Sequence, residues 1–337
     1  MGSAEGMAAY AAPSLFQPHL ARQAIRDAHK KKIPPLLGYY GGLGSTRITR
    51  WLAPLNFDAV WVDWEHSSMN VETMTTIVHE TIFMSQGRTI PFVRVAGHDH
   101  ASIGYALDAG ASIVIPQVET VEQAKHVVSS AKFGSKRNGT RSVPPFRLFP
   151  GVTDRPFQEG RDIFESLNDQ AAIMIQIESL AAINNLDAIL TEVPDIDIVW
   201  LGNLDARVSM NLPSNYGMGN EPEWLEARQK FFDTLDKHDK PYGGFGFPTP
   251  PLGSIEAFKQ TTERMAFILV AADTIALAGM GELLKISRDI VVEEREKKAI
   301  EANGEKANGV NGHNNKGVNG DKVNGVNGHK ANNGILV

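Results

Sequence analysis

Eight short apolar runs recur along the chain: "PPLLGYY", "FDAVWVDW", "IPFVRVAG", "ASIVIPQV", "AAIMIQIE", "IDIVWLG", "YGGFGF" and "AFILVAA". Most of the spacers between them carry helical periodicity, as in "VETMTTIVHETIFM", "TVEQAKHVVSSAKF" and "SLAAINNLDAILTEV". Buried strands alternating with amphipathic helices are the pattern of parallel strands joined by crossovers. Eight such units over roughly 250 residues predict an α/β fold, a (β/α)8 TIM barrel, with an open doubly wound sheet as the alternative.

Two stretches break the rhythm. Residues 134–170 contain "GSKRNGTRSVPPFRLFPGVTDRPF", a connection long enough to be functional. Because it lies between the fourth and fifth strands, it is expected over the barrel mouth as a lid or pocket wall. From residue 299 the chain becomes an Asn-Gly-Val repeat with little to bury, expected to be a disordered tail. The resulting division is an N-terminal extension (1–20), a catalytic barrel (21–298) and the tail (299–337).

Composition narrows the class. With 337 residues, 42% hydrophobic, the chain can bury an enzyme-sized core. A net charge of -6 with scattered basic residues gives no reason to expect nucleic acid. There is no cysteine, which removes disulfides, thiolate zinc sites and thiol nucleophiles. No apolar run approaches the roughly 20 residues of a membrane span, and the N-terminus lacks a basic leader, so a cytoplasmic protein is expected.

A TIM barrel keeps its chemistry at the C-terminal strand ends, and unusual polar residues collect there. Strand two ends in Asp63, Glu65 and His66; strand three carries Arg94; strand five ends Gln176-Ile177-Glu178; Asp205 follows strand six. Alternation places Gln176 and Glu178 on one face and Ile173, Ile175 and Ile177 on the other. Glu178 and Asp205, on strands about 5 Å apart, suit a hard divalent ion such as Mg²⁺ or Mn²⁺ with open positions. The alternative is that they cap loops or pair with arginine. Such an ion chelates a 2-oxo acid and neutralises charge on its keto oxygen. Arg94 is placed to donate to that oxygen or to a carboxylate, His66 to move a proton, and Asp63 to fix the histidine tautomer. No strand run contains a lysine, which excludes a Schiff-base mechanism inside the barrel. "GHDHAS" reads as a helix cap by Asp99 rather than a metal site, and "GYYGGLGS" as a flexible loop without the ending of a phosphate loop.

The ordered set "FDAVWVDWEH", "PFVRV", "LDAGASIVIPQVETVEQA", "IQIESLAAINNLDAI" and "VWLGNLD" resembles the metal-dependent 2-oxo acid aldolases typified by 4-hydroxy-2-oxoheptanedioate aldolase. The resemblance implies Glu178 and Asp205 as metal ligands and His66 as the base. It also implies Arg94 and Gln176 as substrate-binding residues, and Asp63 and Asp108 as acids supporting the histidine. It further implies a homo-oligomer, a hexamer in the usual case, with the last helix exchanged between subunits and Asp108 acting across an interface. The chain departs from the family pattern at "GNLDA" followed by Arg207, and at "GTRSVPPF", changes expected on the substrate side of the pocket. One branch of the family carries a tryptophan two residues before the aspartate and a proline-rich aromatic lid, and Trp61 and "PPF" at Pro144 to Phe146 are similar. That branch decarboxylates oxaloacetate to a pyruvate enolate and joins it to a 2-pyrone, giving a benzoate after loss of carbon dioxide and water. By that likeness Trp61, Phe146 and Phe149 are walls for a flat acceptor, and Arg141 or Arg147 meets its carbonyl or carboxylate. A hydroxy-2-oxo acid aldolase and a simple oxaloacetate decarboxylase remain the alternatives.

Overall fold

The computed structural model describes residues 6–134, 138–250 and 252–310, with side chains described as far as residue 303. The chain divides into two compact units, Met1–Asp273 and Thr274–Val337. In the first, all eight apolar runs form parallel strands that close into a barrel in sequence order, β1 pairing with both β2 and β8. The elements in order are α1 (Ala21–His29), β1 (Leu36–Gly41), α2 (Thr46–Leu52), β2 (Ala59–Asp63), α3 (Val71–Met84), β3 (Ile90–Arg94), α4 (His100–Ala109), β4 (Ser112–Ile115), α5 (Val121–Ala131), α6 (Ile163–Gln170), β5 (Ile173–Ile177), α7 (Leu180–Glu192), β6 (Ile198–Leu201), α8 (Asn203–Ser209), α9 (Pro222–Lys237), β7 (Tyr242–Phe245), α10 (Ile255–Arg264), β8 (Phe267–Ala272) and α11 (Asp273–Val310). The TIM barrel is thus the fold, and the open sheet is excluded.

Strand alternation sorts the side chains into two cores. Val60, Val62, Val93, Ile113, Ile173, Ile175, Ile177 and Val199 point outward and pack against the helices. Ala59, Trp61, Ile90, Phe92, Val114, Met174, Ile198, Trp200, Phe267 and Leu269 fill the interior. Ala21, Ala24 and Ile25 join this inner core, so α1 plugs the N-terminal end. Arg22 on the same helix reaches Asp197 (2.7 Å), Asp169 and Asp195 (both 3.3 Å), tying α1 to the starts of β5 and β6. With the bottom stoppered, the interior opens at the C-terminal strand ends.

Many of the helices begin where side-chain acceptors cap them, as with Asn70 before α3, Thr120 before α5 and Ser179 before α7. Asp99 accepts from the Ser102 amide at 2.8 Å, so it is a cap, as the sequence indicates. The second unit consists of most of α11, whose Leu277, Met280, Leu283, Leu284 and Ile286 are exposed. The tail read from residue 299 begins within the last turns of α11, and residues 311–337 lie outside the described residues. No described helix is long and apolar enough to cross a membrane.

Candidate active site

The ends of β2 and β3 lie in register, Asp63 opposite Arg94. The guanidinium grips the carboxylate with two hydrogen bonds, Nε to Oδ1 at 2.9 Å and Nη2 to Oδ2 at 2.6 Å. Tyr40, at the tip of β1, donates its hydroxyl to the same Oδ2 and lies 3.4 Å from Arg94 Nη2. Burial alone would push Asp63 up, but the Arg94 bonds and charge outweigh it and hold the carboxyl below the usual range. Tyr40, which sequence reasoning left in a flexible loop, is therefore part of the clamp. Nor is that loop free, because Asp273 accepts from the amides of Gly42 (3.0 Å) and Leu43 (2.9 Å).

Gln176 and Glu178 face inward as alternation requires. Gln176 Oε1 lies 3.5 Å from Arg94 Nη1, and its Nε2 donates to Glu178 Oε1 at 3.0 Å. Glu178 Oε2 accepts from the Gln117 amide at 2.9 Å. Burial pushes this carboxyl up to about 7, and the nearby charges of Asp205 and Glu65 add to the effect. Asp205 is exposed in the first turn of α8. Between them sits Gly202, where a Cβ would fall on the Glu178 carboxylate and 2.6 Å from its Cγ. A glycine is required there for the carboxylate to approach the α8 backbone. Asp205 and Glu65 thus both lie within electrostatic range of Glu178, and Asp205 within range of Glu65. Among the described residues no group of three or more His, Asp or Glu side chains is placed to hold a metal ion.

His66 is exposed, and its ring lies 3.6 Å from Glu65 Oε2. Asp63 meets His66 at its backbone amide, at 3.4 Å, instead of at its ring. The expectation that Asp63 fixes the tautomer is corrected on that point.

The other half of the mouth is aromatic. Trp61 and Trp200 pack at 4.8 Å between ring centroids; Phe245, at the end of β7, lies 5.3 Å from Trp200 and 5.8 Å from Tyr40, and Phe247 stacks on Phe245 at 5.7 Å. Trp61 is 1% exposed and has the Arg94 guanidinium 5.6 Å above its ring. It is the floor of the site and not an accessible wall. Phe245, 46% exposed, is the ring that faces open space. Sequence reasoning left "GGFGF" undecided between an anion loop and an apolar wall, and the ring contacts favour the wall.

The remaining candidates lie at the opposite end. Asp108 occupies the last turn of α4, where the chain has returned to the N-terminal face. Arg141 pairs with it at 2.6 Å and lies over Phe133 at 4.5 Å. Arg147 is fully buried, donating to the carbonyls of Phe16, Leu107 (3.2 Å) and Asp108 (2.8 Å). Pro144 is buried beside it, while Phe146 and Phe149 are exposed, Phe146 edge-on to Phe16 at 6.4 Å. The expected lid is therefore not over this barrel's own mouth. The physical reason is parity: the segment follows helix α5, and a helix that follows a strand carries the chain back to the N-terminal end. Arg207 is likewise structural, fully buried with a two-pronged bond to Glu221 at 2.8 Å for each prong. It pins the connection after α8 and does not face substrate.

A strand-end carboxylate pair, an arginine clamp and a histidine at the mouth of a TIM barrel define an aldolase-type lyase site, and the wider comparison agrees. Residues 38–240 match the family model HpcH/HpaI aldolase/citrate lyase, and the chain belongs to that family. A solved structure of macrophomate synthase is 31% identical, with a TM-score of 0.74 over 83% of this chain and 93% of that one. Among curated relatives, 5-keto-4-deoxy-D-glucarate aldolase of Enterobacter sp. (strain 638) is 29% identical over 234 residues, 68% of this chain and 81% of its own. The 2-keto-3-deoxy-L-rhamnonate aldolase of Klebsiella pneumoniae is 31% identical over 188 residues, 52% of this chain and 66% of its own. The protein is thus an enzyme of the keto-acid aldolase type.

Proposed function

We propose that this enzyme decarboxylates oxaloacetate to the pyruvate enolate and adds that enolate to a flat acceptor of the 2-pyrone type, forming two carbon–carbon bonds on the way to a benzoate. The observation that carries the reading is the divided mouth. One side holds carboxylates and guanidinium donors suited to a keto acid, and the other presents Phe245 and Phe247 as stacked apolar rings. A planar conjugated acceptor matches such a wall, whereas a polyhydroxylated aldehyde would leave its hydroxyls unpaired there.

Glu178 and Asp205 fit a divalent cation. The donor set is all oxygen, and the buried Glu178 carboxyl, raised by burial and by neighbouring carboxylates, is the kind of group a cation stabilises. Mg²⁺ or Mn²⁺ would supply Lewis acidity at the keto oxygen. The protein side is carried by Arg94, whose Nη1 keeps an N–H for the oxygen on which charge develops. Asp63 and Tyr40 hold the guanidinium in place, and His66 takes or returns the proton. A second copy of the chain is the proposed partner, with the exposed apolar side chains of α11 available for exchange between subunits.

Supplying oxaloacetate and magnesium, with and without a 2-pyrone, tests the reading by mass spectrometry. An aromatic product only with the pyrone is expected. Pyruvate alone would leave an oxaloacetate decarboxylase, and products with aldehydes alone would leave an ordinary aldolase.

A further inference from the structure

An ionised carboxylate offers about four lone-pair positions, and in Asp63 all four are engaged. Oδ1 takes Arg94 Nε and the His66 amide, and Oδ2 takes Arg94 Nη2 and the Tyr40 hydroxyl. The side chain is fully buried as well. It has no position left for an imidazole N–H. Two residues on, Glu65 is in a different situation. Its Oε2 lies 3.2 Å from Arg94 Nε and 3.6 Å from His66 Nε2, and among the described residues no other carboxylate comes within 4 Å of that ring.

We propose that Glu65, and not Asp63, is the positioning residue for the catalytic histidine: its carboxylate, at ion-pair distance of 3.6 Å from Nε2, favours the proton on that nitrogen and leaves Nδ1 as the lone pair that takes the proton. The proposal rests on reading the mouth as a 2-oxo acid site. With pyruvate, the C3–H bond breaks and its electron pair becomes the C2–C3 double bond. The keto π pair moves onto O2, facing Arg94 Nη1, and the proton ends on Nδ1. The positive imidazolium then sits against the Glu65 carboxylate. Arg94 from β3, His66 and Asp63 beside β2, Asp205 from α8 and Glu178 from β5 all face Glu65 electrostatically. Burial raises its carboxyl, and Arg94 and His66 pull the other way. Asp63 and Glu65 therefore divide the work, one holding the arginine rigid and the other serving the histidine.

A double-mutant cycle on the exchange of pyruvate methyl protons for deuterium, followed by proton NMR in D₂O with magnesium, separates the roles. This half-reaction needs neither decarboxylation nor an acceptor. A wild type that exchanges pyruvate but makes no aromatic product would defeat the acceptor reading and leave this one standing. Glu65→Gln keeps an acceptor for Arg94 and is expected to slow exchange about 10- to 100-fold, with KM for pyruvate little changed. His66→Asn is expected to slow it further. The double variant should be no slower than His66→Asn alone, because both changes disable one device. Equal factors for Glu65→Gln in both backgrounds would overturn the proposal, showing that Glu65 acts through Arg94. So would an unchanged rate in Glu65→Gln, or a wild type that exchanges no protons. Glu65→Asp should recover part of the loss in a His66 background and none in His66→Asn; equal behaviour in both would also overturn it. Thermal midpoints of all variants serve as the folding control.

Discussion

The two ends of the barrel hold similar charged residues and use them in opposite ways. At the N-terminal end Arg22 and Arg141 are paired with carboxylates and Arg147 with backbone carbonyls. Lys132 belongs to the same end, its ammonium on the Asn168 carbonyl and its pKa pushed down by burial to about 7. At the C-terminal end Arg94 is held just as firmly, yet an N–H on Nη1 remains for a ligand, and among the described residues no cationic side chain reaches Glu178 or Asp205 at bonding distance. Saturated charge makes structure, and unsaturated charge held rigid makes a site. A perturbed pKa alone does not tell the two apart, since Lys132 and Glu178 both titrate near 7 and only one faces the mouth.

That contrast can be broken most severely at Glu178. Glu178→Gln should lower activity on the order of 10³-fold and abolish the thermal shift produced by magnesium. The pH dependence has a definite sign. Because burial raises the carboxyl from 4.5 to about 7, the folded metal-free protein binds this proton more tightly than the unfolded chain does. Its contribution is fully present below about pH 4.5 and is lost as the pH rises through about 7. The magnesium-induced rise in Tm should therefore be small near pH 5 and grow above pH 7, as the cation replaces the proton. Calorimetry across that range checks it; a shift independent of pH would mean that Glu178 does not hold the cation.

At the other end the expected loss is of stability and not of turnover. Arg22→Met leaves Asp197 buried without its partner and should cost about 3–5 kcal/mol in urea unfolding, with kcat unchanged below the lowered midpoint. A proportionate fall in kcat would erase the distinction between the ends. The smallest effect is expected on the aromatic half of the mouth. Phe245→Ala should raise KM for a pyrone roughly tenfold while oxaloacetate decarboxylation proceeds at its former rate. Equal losses in both would place Phe245 on the keto-acid side.

Much of this was legible in the sequence because strands and alternation have strict periods. All eight runs became strands, and the inward pointing of Gln176 and Glu178 followed from the isoleucines on their other face. Asp99 was legible as a cap because capping is local. What failed was longer in range. "PPFRLF" is aromatic and basic enough to read as a lid, but which end of the barrel it occupies depends on counting the helix before it. Trp61 looked like a wall because it is similar to the tryptophan of one branch of the family, whereas in the fold it packs against Trp200 from β6 and is buried. The division of labour between Asp63 and Glu65 depends on which acceptor positions Arg94, Tyr40 and the His66 amide occupy, which only three dimensions reveal. The "DWEH" string did place both acids beside the histidine.

Gly202 sits between the acidic and aromatic halves of the rim, and its missing side chain is all that keeps the Glu178 carboxylate from collision. The tip of β7 contributes rings and no carboxylate to the rim, so libraries randomised at Phe245 and Phe247 would explore new coupling partners. The same exercise at Gly202 would yield almost uniformly dead clones. Catalytic inheritance and chemical novelty are thus written into different strands of one cylinder.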